Sequence, residues 1–216
     1  MKILNLYAYL GGNRYKWDEV AEGLEITAVE LDPELARMYQ ERFPNDTVIV
    51  ADAHQYLLDH YKEFDFIWTS PPCPTHSSIR ISQKNTKAFT PKFPDMELYE
   101  EIIFLDNYFE GKYVVENVIP FYEPLIQAKK RGRHLYWTNF NIPNDLNCRP
   151  QPKDMIAKGS IGDLEKYHSI DLGRYKGGQS KIKIGRNLVD YEAGRTILET
   201  ALGIIRKSNT SQTELF

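Results

Sequence analysis

Residues 65–77 read DFIWTSPPCPTHS, an apolar run that ends in a polar, proline-rich turn. The run up to Trp68 has the length and composition of a buried strand, and Pro71 and Pro72 end it, because proline lacks a backbone N–H and restricts the preceding residue. The pattern therefore places Cys73 at the tip of a strand. In an open α/β sheet, ligands bind beyond the carboxyl ends of the strands, which suits a reactive thiol. A small cysteine buried in the core is the alternative.

Strands and helices alternate on either side of this turn. The alternation predicts an α/β fold with a mostly parallel, doubly wound sheet. The predicted strands are 2–8, 25–30, 47–50, 64–68, 113–116 and 134–140, and the predicted helices are 13–21, 33–43, 53–60, 95–109 and 124–130.

The length and the cysteine content narrow the class of protein. A chain of 216 residues suits one α/β domain. Cys73 and Cys148 form no disulfide framework, and the five histidines are scattered, so we expect a reduced protein without a metal. The start of the chain has no basic leader, and no apolar run approaches the ~20 residues of a membrane span. These features predict a cytoplasmic protein that does not contact a membrane.

The charge is unevenly distributed along the chain. The net charge is −3, yet residues 129–186 hold thirteen Lys or Arg against five Asp or Glu. The loop at 74–95 adds four more cations. Two basic segments on either side of a cysteine turn are typical of a protein that binds a polyanion on one face. A solvated surface is the alternative for either segment.

Polar groups also follow the first three predicted strands. The turn at 7–12 (YAYLGG) lets the backbone approach a ligand, Glu30 ends the second strand, and Asp52 follows the third. A carboxylate at the end of the second strand can accept hydrogen bonds from ribose hydroxyls. A carboxylate after the third strand can accept a hydrogen bond from an exocyclic amine. Together they predict an adenosine site, with nicotinamide dinucleotides still open. Helix capping is the alternative for each acid.

These residues together resemble the DNA (cytosine-5) methyltransferases, in the short type of bacteriophages and prophages. Residues 6–12 resemble the first motif of that family, 71–77 (PPCPTHS) the nucleophile motif, 116–118 the ENV motif and 131–133 the arginine pair. Arg186, Asn187 and Gly194 resemble the last motif. Tyr9 stands where many members have Gly, and Lys129 where many have Gln. The resemblance implies a Rossmann-like methyltransferase fold, S-adenosylmethionine as cofactor, DNA as substrate and a bacterial host cell.

The resemblance also implies a role for individual residues. Cys73 is expected to add to C6 of a flipped-out cytosine, Glu116 to hold N3, and Arg133 to fix the carbonyl and lower the pKa of the thiol. Asn117 is expected to hold the cysteine loop. The expected cofactor contacts are Tyr7, Gly11, Gly12, Glu30, Leu31, Asp52, Ala53, Pro71, Leu98 and Asn187, and the expected target contacts are Ser77, Arg80, Asn117, Arg131 and Lys176.

Three other functions remain open. Residues 69–72 (TSPP) also resemble the active-site motif of amino-group (N4 or N6) DNA methyltransferases, in which an aromatic residue next to the motif stacks on the target base. Cys73 stands in that place and is a poor stacking residue but a good nucleophile. An RNA (tRNA) cytosine-5 methyltransferase would share the fold. A catalytically inactive DNA-binding homologue is the alternative outside enzymes.

The chain divides into four predicted segments. Residues 1–140 form the catalytic core, 141–183 a small target-recognition region, 184–207 a C-terminal helix that completes the core, and 208–216 a flexible tail. So small a recognition region predicts a short or relaxed target sequence, or help from a second subunit or a partner. The tail ends QTELF, and Gln212, Leu215 and Phe216 resemble peptides that dock on the bacterial sliding clamp.

Overall fold

The computed structural model describes residues 1–82, 84–86, 89–151, 155 and 159–204 of the chain. The described residues form a seven-stranded sheet in the order β3-β2-β1-β4-β5-β7-β6. The strands are β1 (Lys2–Leu6), β2 (Glu25–Glu30), β3 (Thr47–Val50), β4 (Phe66–Thr69), β5 (Lys112–Val118), β6 (Lys129–Arg131) and β7 (His134–Thr138).

The described part of the chain also contains seven α-helices and three short 3-10 helices. Short 3-10 helices lie at Asn13–Glu19, Tyr61–Glu63 and Leu172–Arg174. The α-helices are α1 (Pro33–Arg42), α2 (Ala53–His60), α3 (Ser78–Ser82), α4 (Glu97–Tyr108), α5 (Ile161–His168), α6 (Lys181–Asn187) and α7 (Tyr191–Ala201).

Five neighbouring strands, β3-β2-β1-β4-β5, run parallel, and only β7 and β6 are antiparallel to their neighbours. The expected mostly parallel α/β sheet is therefore confirmed. Because parallel strands end on the same edge, the loops after β1, β2, β3 and β4 and the end of β5 lie side by side along that edge.

Apolar side chains cover both faces of the sheet, as the alternating pattern of the strands requires. On one face, Leu57 of α2 and Leu105 of α4 pack with Leu4. On the other face, Trp17 and Ile197 of α7 pack with Ile3. Removing this apolar surface from water is the main driving force that holds the helices on the sheet.

The helix predicted at 124–130 is wrong. Residues 129–131 form β6, which pairs with β7 in a hairpin about Gly132 at φ +57°. The Lys129 Nζ donates to the carbonyls of Thr138 at 2.8 Å and Phe140 at 2.9 Å, so contacts across the hairpin override the local preference for a helix.

Smaller differences concern the ends of elements. The segment predicted as a helix at 13–21 is a 3-10 helix at Asn13–Glu19, and the strand predicted at 134–140 ends at Thr138. The boundary predicted between 183 and 184 lies inside α6, and the division into segments stays a prediction. Gln212, Leu215 and Phe216, which carry the expected clamp contact, lie outside the described residues.

No helix in the described ranges is both long enough and apolar enough to cross a bilayer.

Candidate active site

A cleft of about 150 Å³ opens where β1, β4 and β5 end. The loop after β1 forms one wall, the turn after β4 forms the floor, and α6 with the start of β7 closes the other side. The cleft is lined by residues that include Tyr7, Tyr9, Gly12, Pro71, Cys73, Glu116, Asn117, His134, Lys183, Arg186 and Asn187.

The turn that carries Cys73 is held from two directions. The Asn117 side chain donates from Nδ2 to the carbonyl of Pro71 at 3.0 Å. The backbone N–H groups of His76 and Ser77 both donate to the carbonyl of Cys73 at 3.0 Å, which turns the chain directly after the cysteine. These contacts fix the thiol beside the end of β5, as expected of Asn117.

Burial and nearby charges set the electrostatics of the thiol. Burial raises the pKa of Cys73, the nearby Glu116 carboxylate raises it further, and Lys183 on α6 acts in the opposite direction. Arg133, which was expected to lower this pKa, is exposed in the turn between β6 and β7 and does not line the cleft. The expected effect of Arg133 on the thiol stays a prediction, and Lys183, which lines the cleft with Cys73, is a cation whose charge lowers the pKa of the thiol.

Glu116 faces His134 across the antiparallel pair of β5 and β7. Val118 pairs with His134 and Glu116 with Tyr136, so these four side chains share one face of the sheet. The Glu116 side chain is 7% exposed, and its Oε1 lies 3.4 Å from the His134 Nε2. A carboxyl group and an imidazole thus meet in the cleft that holds the thiol.

The predicted cofactor acids lie farther along the same edge of the sheet. Glu30 is buried and accepts from the N–H of Tyr9 and the N–H of Asp32, both at 2.9 Å. Burial raises the pKa of Glu30, and these backbone bonds oppose the rise. Asp52 is exposed and caps α2 by accepting from the N–H of Gln55 at 3.1 Å. Asp52 therefore has the capping role that the sequence left open.

Two apolar positions near these acids differ in exposure. Leu31 is 67% exposed beside Glu30, which leaves its side chain available to a planar ligand. Leu98 and Ala53 are buried in the core between α2, α4 and the sheet. The structure therefore places these two predicted cofactor contacts in the core.

The loop after β1 has an unusual backbone. Tyr7 and Tyr9 adopt positive φ values of 53° and 49°, and Gly11 follows at 66°. The Tyr9 hydroxyl accepts from the Asn187 Nδ2 at 3.1 Å and donates to Gln179 Oε1 at 3.3 Å. Side-chain bonds from α6 and the segment before it therefore hold a conformation that glycine adopts more easily.

The Tyr7 hydroxyl joins a buried network under the cleft. Glu101 of α4 accepts from the Tyr7 hydroxyl and from the Thr69 hydroxyl, both at 2.6 Å. The His54 Nδ1 lies 3.2 Å from Glu101 Oε1, and this contact raises the pKa of His54 to about 9. Burial, followed by the charge of Glu101, raises the pKa of Tyr7.

The remaining target contacts that the sequence predicted lie outside the cleft. The Arg131 guanidinium donates to the carbonyls of Pro143 at 2.5 Å and Ile142 at 3.1 Å, so it fixes the loop after β7. Arg80 lies over the ring of Phe89, and Ser77 forms a β-bridge with Pro120. Lys176 is exposed beside Glu34 at the start of α1.

The family model for C-5 cytosine-specific DNA methylase matches residues 1–118, which is more than half of the chain. The chain belongs to this family. The matched residues include Cys73 and Glu116 and end before the β6–β7 hairpin. No curated protein matches the sequence.

Two solved structures show how similar this chain is to known proteins. The Entamoeba histolytica methyltransferase EhMeth is 11% identical, covers 96% of this chain and 99% of its own, and has a TM-score of 0.55, which shows a shared fold. A DNMT2 E260A/E261A/K263A mutant from Spodoptera frugiperda is 27% identical over 54% of this chain and 35% of its own, with a TM-score of 0.40. The chain therefore spans about a third of the length of that DNMT2 structure. Its fold is the Rossmann-like fold of S-adenosylmethionine-dependent methyltransferases.

The structure adds residues to the site that the sequence did not identify as site residues. Glu101 had a readable signal, because it falls among Leu98, Ile102 and Leu105 on the buried side of α4, where a carboxylate needs partners. His134 had none, since its contact with Glu116 depends on the register of β5 and β7. Lys183 and Arg186 reach the cleft only because α6 packs across the loop after β1. Within the described residues, no cluster of His, Cys, Asp or Glu could hold a metal ion.

Proposed function

We propose that this methylase transfers a methyl group from S-adenosylmethionine to C5 of a flipped-out cytosine in DNA, through a covalent bond between Cys73 and C6. One observation carries the proposal. Cys73 and Glu116 come from the ends of neighbouring parallel strands and line one cleft with the loop after β1. A nucleophile, a carboxyl group and a cofactor loop are thus within reach of one bound base.

The chemistry explains why a thiol and a carboxyl group belong together. C5 of cytosine is a weak nucleophile, and addition of a thiolate at C6 makes the ring electron-rich. A proton on Glu116, held against N3, stabilises the charge that develops in the ring. Because burial raises the pKa of Cys73, the thiol has to lose its proton as the base binds, and Lys183 is the cation that favours that loss.

The residues along the sheet edge fit the cofactor. The Glu30 oxygens accept from the N–H groups of Tyr9 and Asp32, and because a carboxylate has about four lone-pair sites, it can also accept from a ribose hydroxyl. Leu31 offers an exposed apolar surface to the adenine ring, and Asp52 offers an exposed carboxylate to its amine. When bound, the cofactor supplies a methyl group on a sulfonium. The backbone of the loop after β1 would orient that group toward the Cys73 side of the cleft.

A nucleic acid is the proposed substrate because cations lie at and beside the cleft, and DNA is proposed because the matching family model is that of DNA methylases. Lys183 is exposed at the lining of the cleft, Arg186 lies one turn of α6 further on, and Arg133 is exposed next to His134. Contacts of this kind bind phosphates without reading sequence, so they position the duplex. A target base has to leave the duplex to reach Cys73. The small region at 141–183 then supports a short or relaxed target sequence.

The experiment is a methylation assay with duplex DNA and tRNA as separate substrates, followed by nucleoside mass spectrometry. The proposal predicts 5-methylcytosine in DNA, none with Cys73→Ala, and near wild-type affinity of that variant for S-adenosylmethionine. A product methylated at N4 or N6 would contradict the proposed chemistry. Methylated tRNA without methylated DNA would contradict the proposed substrate. No methylated product from either substrate would favour a catalytically inactive DNA-binding protein.

A further inference from the structure

His134 lies where a proton can pass between Glu116 and the protein. Its Nε2 is 3.4 Å from the Glu116 Oε1, and its side chain is 23% exposed, against 7% for Glu116. Both residues line the cleft with Cys73. The carboxyl group is therefore on the inner side and the imidazole nearer to solvent, as the two ends of a short proton path would be.

The backbone fixes this arrangement. β5 and β7 are paired over five residues, from Val114 with Thr138 to Val118 with His134. The His134 ring also lies 6.4 Å from the Tyr136 ring in an edge-on contact, and Tyr136 is fully buried. The imidazole is thus held against the carboxyl group by the sheet and not by a mobile loop.

Several charged or titratable groups face the pair from neighbouring elements. Cys73 comes from the turn after β4, and Lys183 and Arg186 come from α6. Arg131 and Arg133 are on the same hairpin, and Cys148 and Asp190 lie near Tyr136. Cations outnumber acids in this set, and these are the groups that set the electrostatic field around the Glu116–His134 pair.

We infer that Glu116 and His134 share one proton, which the pair gives to N3 of the target cytosine and later takes back. This inference rests on the proposed function. It makes His134 a positioning residue that acts through Glu116, since nothing requires His134 to touch the base.

The proton balance closes over the reaction. When the Cys73 thiolate, whose proton has passed to solvent, bonds to C6, the C5–C6 π electrons move into the ring, and N3 takes the shared proton from Glu116. The pair is then left as a carboxylate and a neutral imidazole. After methyl transfer, the C5 proton passes to solvent, its C–H electrons restore the C5–C6 double bond, the S–C6 bond breaks to give back the thiolate, and N3 returns its proton to the pair. No proton is consumed by His134 and Glu116 over the cycle.

The first test is the pH dependence of methylation by His134→Gln. Glutamine keeps a polar side chain but cannot hold the extra proton, so Glu116 must retain its proton alone. We expect the falling alkaline limb of kcat/KM to move down by about one pH unit or more, and the maximal rate to fall roughly tenfold. His60→Gln, on the exposed side of α2, is the control and should match the wild type. A rate that falls equally at every pH, with the limb unmoved, would show a purely structural role.

The second test needs no activity. Denaturant unfolding of Glu116→Gln, His134→Gln and the double variant should show effects on the free energy of unfolding that do not add, whereas the effects of Glu116→Gln and His60→Gln should add. Additive effects of Glu116→Gln and His134→Gln would overturn the pairing. If the two are coupled but no DNA methylation is found with any variant, the proposed function fails and the pairing stands on its own.

Discussion

The Asn117 side chain donates a hydrogen bond to the backbone carbonyl of Pro71 at 3.0 Å, and so joins the end of β5 to the turn that carries Cys73. Both groups are buried, so loss of the donor leaves an unsatisfied carbonyl. We expect Asn117→Ala to lower the free energy of unfolding by about 1–3 kcal/mol and to slow methylation without weakening S-adenosylmethionine binding.

Denaturant unfolding and cofactor titration measure these two effects. Asn107→Ala is the matched control, because the Asn107 amide donates to the Ile103 carbonyl on the exposed side of α4. That variant should change the free energy of unfolding by no more than about 0.5 kcal/mol. Equal effects of the two variants would show that the Asn117 bond does not hold the turn.

Gly194 allows α7 to contact the 3-10 helix at Asn13–Glu19. A Cβ at this position would lie 2.1 Å from the Asn13 backbone oxygen, which cannot move without shifting the loop after β1. We therefore expect Gly194→Ala to destabilise the fold by roughly 3 kcal/mol, at the upper end for an overpacked core.

Thermal unfolding of Gly194→Ala and Gly162→Ala tests this contact. Gly162 lies in α5, and an added Cβ would meet nothing closer than 3.9 Å. Alanine favours a helix by up to about 1 kcal/mol over glycine, so Gly162→Ala should be neutral or stabilising. A Gly194→Ala protein as stable as the wild type would contradict the close packing.

The His54–Glu101 pair should make stability depend on pH. The folded pKa of about 9 exceeds the ordinary value near 6.5, mainly through the contact with Glu101, so the pair stabilises fully below about pH 6.5. The stabilisation is lost as the pH rises through about 9. Because the His54 side chain is 31% exposed, we expect it to amount to about 1–2 kcal/mol.

Unfolding of the wild type and His54→Gln at pH 6 and pH 9.5 measures this contribution. The difference between the two proteins should be largest at pH 6 and should shrink at pH 9.5. A difference that is constant with pH, or that grows toward pH 9.5, would show that His54 is not charged beside Glu101.

Two substitutions at Tyr9 test its left-handed backbone conformation. Tyr9→Gly and Tyr9→Ala both lose the hydroxyl contacts with Asn187 and Gln179, but only alanine keeps the strain of φ 49°. We expect the glycine variant to be more stable by about 1 kcal/mol. Denaturant unfolding measures the free energy of unfolding of each variant. An alanine variant that is as stable as the glycine variant, or more stable, would contradict the left-handed conformation.

The sequence predicted the sheet and the position of the thiol because both follow from local signals. Pro71 and Pro72 end β4 wherever the rest of the chain lies, and the alternating strands and helices give a mostly parallel sheet. The hairpin of β6 and β7 could not be predicted in this way, since Lys129 takes its strand conformation from contacts with Thr138 and Phe140.

The contents of the cleft were harder to predict for the same reason. Glu116 and Asn117 were found from their order in the chain, whereas His134 and Lys183 reach the cleft through strand register and helix packing. Arg133 shows the reverse case. It matches a motif by spacing, yet the turn about Gly132 leaves it exposed beside the cleft.

The central claim is that Cys73 bonds to C6 of cytosine during methyl transfer. Duplex DNA that carries 5-fluorocytosine has no C5 proton to lose, so the covalent intermediate should accumulate in the presence of S-adenosylmethionine. We predict a protein–DNA adduct that withstands denaturation, maps by peptide mass spectrometry to Cys73, and is lost in Cys73→Ala but kept in Cys148→Ala. An adduct at Cys148, or active methylation of normal cytosine with no adduct at Cys73, would contradict the account.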